Sequence, residues 1–344
     1  WILGRECGRE SEMQKKIVDR IIWVSYRRGF HVIQDSSWTS DSGWGCMYRT
    51  AQMSLANAFL RIAMPRWDWD PEDVAAAMTY RNVVRLFADR PEAPFSIHNL
   101  TLAAKLSHRT KAGEWVGPTA AVFALATRSG SLHDAPLRIY VARESALYHD
   151  DIVRPFEANP SKDDFTPVFI TIPIRLGIDS INPVYYITIL DLFRIPYCMG
   201  IVGGRPRASY YFVGREGDSL LYLDPHTTQD LEEPETFPET GFIGSYQPRG
   251  LGRLPVSALD PSMALCFLCP TLSSVDTLLR ILGQKGASGE SLVVTGKSRP
   301  AYMQGATPGD DFSMGDGDDF DMDMFDEGGH RTGSSRPLPE GHSV

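Results

Sequence analysis

Nowhere does the chain carry an apolar run approaching the roughly 20 residues that cross a bilayer. Its most apolar stretch, PVFITIPIRLGI, is broken by proline and arginine. A basic surplus is also missing: the 344 residues have a formal net charge of −9. A phosphate-neutralising surface should be basic, so nucleic acid is excluded as a partner. Cysteine is scarce. Cys7, Cys46, Cys198, Cys266 and Cys269 form an odd set without the spacing of a secreted disulfide scaffold, which fits a reduced, intracellular protein. No internal repeat is visible. No signal peptide is visible either, and because the chain opens on Trp1 rather than Met a preceding segment is expected to be missing. GIVGGRPRAS lacks the Gly-Lys-Ser/Thr of a phosphate loop, so its glycines are expected in a mobile loop over a cleft.

What is present suffices for a sizeable core, with 42% hydrophobic residues. Apolar spacing predicts a helix over residues 13–28 and an amphipathic one from Met47, through Ala51, Leu55, Ala58, Phe59 and Ile62. Pro71, followed by two acids, predicts a helix start running to about Ala88. SIHNLTLAAKLSH and GPTAAVFALATRS read as two more helices. The texture then turns β-branched and aromatic. LRIYVA, TPVFITIPI, VYYITIL, SYYFVG and SLLYLD predict strands, although VYYITILDLF fits a helix equally well. SMALCFLC reads as a late buried strand and SVDTLLRILGQK as a closing helix capped by Ser274. Helices first and strands later predict an α+β domain over residues 1–284. Residues 285–344, rich in Gly, Ser, Pro and Asp, are expected to be a disordered tail.

Two short motifs carry chemistry. In SDSGWGCMYRT, Cys46 stands at the expected start of a helix, where unpaired N–H groups and the dipole lower a thiol's pKa. Alone, it reads as a buried structural cysteine at a turn. LYLDPHTTQD ends a strand with Asp224-Pro225-His226. Residues two apart in an extended chain share a face, so carboxylate and imidazole can meet, and Pro225 stiffens the arrangement. Alone, this reads as a turn with a surface histidine. His31, His98, His108, His133 and His149 read as structural or surface groups, and His330 and His342 fall in the tail. Cys266-Phe-Leu-Cys269 has the spacing of a zinc or redox pair, but no second pair follows, so no metal site is predicted.

Taken together, TSDSGWGCMYRTAQM and LYLDPHTTQ resemble the autophagins, cysteine peptidases that process ubiquitin-like autophagy modifiers. WILGR, PIRLGIDSINPVYY and LDPSMALCFLC extend the resemblance over nearly all of residues 1–284. It implies a papain-like α+β fold with a small auxiliary subdomain and a catalytic triad of Cys46, Asp224 and His226. IIWVSYRRGF is similar to the segment carrying an oxyanion-site tyrosine, here Tyr26. GEWVGPTAA matches the stretch whose tryptophan, here Trp115, lies over the substrate's terminal glycine. GIVGGRPRASYYFVG matches the gating loop, here Arg205, Pro206, Arg207 and Ala208.

The resemblance further implies cleavage after a C-terminal glycine, both in the modifier's precursor and in its phosphatidylethanolamine conjugate. No cofactor is implied. The expected enzyme is a cytoplasmic monomer recruited to autophagic membranes through its substrate, with access to the nucleus. Two alternatives stay open: a binding module that does not cut, and a thiol peptidase for another glycine-ended modifier. The tail departs from the family's aromatic-x-x-aliphatic docking motif, since Phe312, Phe320 and Phe325 each have Gly or Asp three positions on. It is read as a solubilising acidic linker.

Overall fold

The first half of the chain is helical in the computed structural model, which describes residues 1–9, 11–130, 135–157, 165–284 and 291–300. It runs through α1 (Glu12–Arg20), the two-residue strand β1 (Arg27–Arg28), α2 (Cys46–Ala63), α3 (Val74–Arg85), α4 (Ile97–His108) and α5 (Pro118–Ser129). Then follow β2 (Arg138–Val141), β3 (Ala146–Tyr148), α6 (His149–Glu157), β4 (Val168–Arg175), α7 (Tyr186–Leu192), β5 (Cys198–Arg205), β6 (Ala208–Glu216) and β7 (Ser219–Leu223). β8 (Gln229–Asp230), β9 (Gly252–Pro255), β10 (Ser262–Cys269), α8 (Leu272–Leu282) and β11 (Val294–Gly296) complete the order. This is the α+β segregation expected.

One seven-stranded sheet, in the order β2-β4-β10-β5-β6-β7-β9, organises the molecule. Its pairs are antiparallel except β2 with β4. Alternation along β10 divides the core. Ala264, Cys266 and Leu268 join the cluster under α2 and α5, while Met263, Leu265, Phe267 and Cys269 join the cluster that holds α7 and α8. Cys266 and Cys269, three apart on a strand, therefore face opposite ways and form no thiol pair.

α2 is buried from Cys46 to Leu60 on every side, so it is a central helix and not the amphipathic one its apolar spacing suggested. Its buried amides are satisfied instead of solvated. Asn57 accepts from the Ile22 N–H at 2.9 Å and donates to the Ile22 carbonyl at 3.0 Å. Gln52 donates to the Phe95 carbonyl at 2.7 Å.

Several expected boundaries move. The helix predicted over 13–28 stops at Arg20, because from Ile22 onward the backbone bonds to α2 and to the segment after β7. α3 starts after Asp73, whose carboxylate caps the Ala76 N–H, and Pro71 lies in the turn before it. VYYITILDLF is helical, as a 3₁₀ turn leading into α7. The cap of α8 is Thr271, with Ser274 as the reciprocal partner in a capping box. The glycines of GIVGG are not a loop but the buried strand β5, where a Cβ at Gly204 would lie 2.0 Å from the Ala208 carbonyl oxygen.

The boundary at 284 also falls short. Among the residues assigned to the tail, 291–300 are described and folded: Leu292 and Val293 are buried, and β11 pairs in parallel with β3. Composition hides this, because the partner strand is far away in sequence. The rest of the tail, with Phe312, Phe320 and Phe325, lies outside the described residues. No helix among the described residues is long and apolar enough to cross a membrane.

Candidate active site

Three chain segments converge at the N-terminus of α2. The first is the loop before it. Gly43 has φ +88°, a left-handed conformation that other residues adopt only with strain. At Gly45, a Cβ would meet the Asp41 carboxylate at 2.3 Å, so the glycine makes room for a buried acid. Gly45 N–H donates to the Asp41 carbonyl at 2.8 Å. The turn thus formed delivers Cys46 as the first helical residue, whose N–H has no partner inside the helix.

The second segment is extended and carries Tyr26. Its N–H donates to the Pro225 carbonyl at 2.9 Å, and its carbonyl accepts from Gln229 N–H at 2.9 Å. Trp23 Nε1 donates to the Asp224 carbonyl at 2.9 Å. These bonds stitch the tyrosine beside the third segment, Asp224-Pro225-His226. There His226 Nδ1 lies 2.5 Å from Asp224 Oδ1, which also accepts the His226 backbone N–H at 2.9 Å. The far side of the imidazole reaches the Cys46 sulfur. Tyrosine rings hold it edge-on from two sides, Tyr26 at 5.5 Å and Tyr210 at 5.7 Å between centroids.

The electrostatics follow. Burial pushes the Cys46 thiol up, but the bond to His226 and its imidazolium charge, with the Ser209 and Tyr26 hydroxyls facing the sulfur, outweigh it and hold the thiol below its ordinary range. Burial opposes a charge on His226, yet Asp224 and Cys46 raise it to about 9. Asp224 is held low despite its own burial, mainly by His226. Tyr26 is pushed well above the usual phenol range, chiefly by burial and then by Cys46, so its hydroxyl stays a neutral donor. Gly43 N–H bonds to that hydroxyl. The arrangement can hold a thiolate against an imidazolium whose other nitrogen is fixed by a carboxylate.

Of the residues singled out from sequence, Cys46, Tyr26, Asp224 and His226 come together. Trp115 stands 51% exposed in the loop entering α5. Arg205 and Ala208 pair as the last register of the β5–β6 hairpin, closed by Pro206 and Arg207, the latter at φ +70°. That is the φ pattern of a type II turn, with Arg207 where glycine is usual. The expected mobile loop is thus a two-residue turn. Arg205 lies over the Tyr210 ring at 6.0 Å and helps to lower Asp224.

The other histidines divide. His98 is in the core, with Nε2 2.6 Å from the His31 carbonyl oxygen. His149 opens α6, and its ring nitrogens lie 3.4 Å from Asp150 and 3.3 Å from Asp276. It has acids beside it but no nucleophile among the described contacts. No group of residues able to hold a metal occurs among the described residues.

Sequence reading missed two features. Ser209 reaches the sulfur from β6, a placement that depends on sheet register and leaves no local signal. The buried ion network beneath the loop, with Arg49 bonded to Asp41 at 2.7 and 2.9 Å and to Asp89 at 2.7 Å, also went unseen.

Comparison with known proteins adds an independent line. The sequence profile of the peptidase C54 catalytic domain matches residues 10–280. A probable cysteine protease atg4 of Schizosaccharomyces pombe is 37% identical over 273 residues, covering 78% of this chain and 77% of the relative. Cysteine protease ATG4A of Mus musculus is 33% identical over 299 residues, covering 78% and 74%. Cysteine protease ATG4B of Xenopus laevis is 30% identical over 316 residues, covering 85% and 81%.

Proposed function

The chain belongs to the peptidase C54 family and is a cysteine peptidase of papain-like α+β fold; from that premise, we propose that it cleaves after the C-terminal glycine of a ubiquitin-like autophagy modifier. The substrate forms are the extended precursor and the conjugate with phosphatidylethanolamine. The observation that carries the chemistry is the row Asp224, His226, Cys46 at the start of α2.

In this reading the Cys46 thiolate attacks the glycyl carbonyl carbon, and the developing oxyanion accepts from the Cys46 N–H and the Tyr26 hydroxyl. His226, protonated, gives its proton to the leaving amine, and a thioester remains on Cys46. Water, losing its proton to His226, then opens the thioester and frees the glycine carboxylate. Asp224 fixes the imidazole's orientation and favours its charged form. Trp115 covers the glycine, where a larger side chain would clash, and the Arg205–Ala208 hairpin turn borders the channel. No cofactor takes part. The enzyme acts as a cytoplasmic monomer and meets autophagic membranes through the lipid on its substrate.

The test is incubation with a panel of glycine-ended modifiers bearing C-terminal extensions, and with lipid-conjugated modifier, read by product mass. Products ending at the glycine from autophagy modifiers are expected, with ubiquitin fusions left intact. Equal cutting of ubiquitin fusions would move the function to another modifier, and binding without any product would leave a binding module.

The charge-separated pair predicts a pH profile. Activity should rise as pH climbs past the depressed Cys46 value, so the acid limb lies below the ordinary thiol range. It should fall near pH 9, where the imidazolium needed by the leaving amine loses its proton. The same raised value stabilises the fold below the unfolded histidine pKa and is lost as pH rises through about 9. A kcat/KM profile on an extended precursor checks this, and an alkaline limb centred near neutrality would refute the pair.

A further inference from the structure

Among the groups around the sulfur, Ser209 is the one whose neighbourhood leaves it nothing else to do. It lies second in β6, directly opposite Gly204 of β5. Gly204 has no room for a side chain, so the hydroxyl has no cross-strand partner. Alternation along β6 sends Tyr210 and Phe212 to the sheet face that holds α7 and α8, and Tyr211 to the α2 face, the side that Ser209 shares by its position. Ser209 is 1% exposed, and its oxygen makes no complete hydrogen bond with any described group. A buried, unpaired hydroxyl costs stability, on the order of a lost hydrogen bond or more. β6 packs directly against α2, whose first residue is Cys46, and the sulfur there is the acceptor that the hydroxyl faces.

We propose that Ser209 is a positioning residue for Cys46, donating its hydroxyl to the thiolate and so holding the sulfur in its charged form beside His226. The proposal rests on the peptidase reading above. In the neutral thiol form the serine is under-satisfied, and formation of the thiolate supplies its missing acceptor. The cost of the orphan hydroxyl in the neutral form thereby becomes a bias toward the ionised one. The bond is released as the sulfur becomes a thioester, when its charge is spent. Ser209 thus acts through the nucleophile's charge and touches no substrate atom.

The test is alkylation of Cys46 by iodoacetamide across pH in the full chain, read by mass on the peptide containing Cys46, for the unmodified protein, Ser209→Ala and His226→Ala. Thermal melting and the cleavage rate are measured in parallel. In Ser209→Ala the alkylation midpoint should rise by about one pH unit and cleavage should fall about tenfold near neutral pH, the scale of one hydrogen bond to a charged acceptor. The melting temperature should change little, because the substitution removes one buried oxygen and leaves the packing of β6 in place. A merely structural serine would move the melting temperature and leave the midpoint in place. A midpoint unmoved by Ser209→Ala but raised by His226→Ala overturns the serine's role and keeps the ion pair. An ordinary thiol midpoint in the unmodified protein, insensitive to His226→Ala, overturns the pair itself.

Discussion

Cys46→Ala is expected to remove cleavage of an extended modifier precursor almost completely, by roughly 10⁶-fold in kcat. The size of the loss follows from how the site works. Attack and proton transfer are one device, so deleting the sulfur leaves His226 with nothing to activate, and deleting His226 should cost about as much. Asp224→Ala should cost less, on the order of 10⁴-fold, because the imidazole survives but loses its fixed orientation. The substitution should be structurally quiet. Alanine is tolerated at the first position of a helix, and the cap of α2 is made by the backbone of Gly45 and Asp41, which the change does not touch. Binding of the uncleaved precursor and the melting temperature should therefore stay close to those of the unmodified protein. Turnover within about tenfold of the unmodified rate would remove Cys46 from the chemistry, since no residual oxyanion stabilisation makes up that difference.

How far the sequence carries such an argument depends on whether the signal is local. α4 and α5 were legible because their caps, Ser96 and Gly117 with Pro118, stand next to their apolar runs. Asp224-Pro225-His226 was legible because two residues of extended chain suffice to pair carboxylate with imidazole. The end of α1 was not, since Ile22 leaves the helix to bond with Asn57 from another element. β11 was hidden inside a Gly- and Ser-rich stretch because only β3 makes it a strand. Ser209 escaped for the same reason: nothing within β6 says that its neighbour across the sheet has no side chain, or that a sulfur lies on that face. Periodicity also misread α2, where charged and amide residues at helical spacing imply a solvated face. In the fold Arg49, Gln52 and Asn57 are all buried and bonded.

That misreading conceals the second large effect, which is on stability. Arg49, one turn into α2, is fully buried and donates from Nε and Nη2 to Asp41 at 2.7 and 2.9 Å. Its Nη1 donates to Asp89 at 2.7 Å and to Gln52 at 3.1 Å. Arg27, also buried, gives its backbone N–H to Asp41 at 2.7 Å and approaches Asp89 at 4.0 Å, so two cations balance two carboxylates. Arg49→Met keeps the volume and the apolar contacts of the stem but leaves two buried carboxylates facing a single cation. Breaking a buried pair from one side costs about 3–5 kcal/mol. For a domain of this size that corresponds to a fall of roughly 10 °C in melting temperature. Activity should drop further than the folded fraction does, because Asp41 is what the Cys46 turn is built on: its carbonyl holds Gly45, and its carboxylate occupies the space that a side chain at Gly45 would take. Differential scanning calorimetry, with cleavage measured well below the new transition, separates the two losses. A melting temperature within about 2 °C of the unmodified protein would show that water or relaxation compensates the carboxylates, and that the turn carrying the nucleophile does not depend on the ions beneath it.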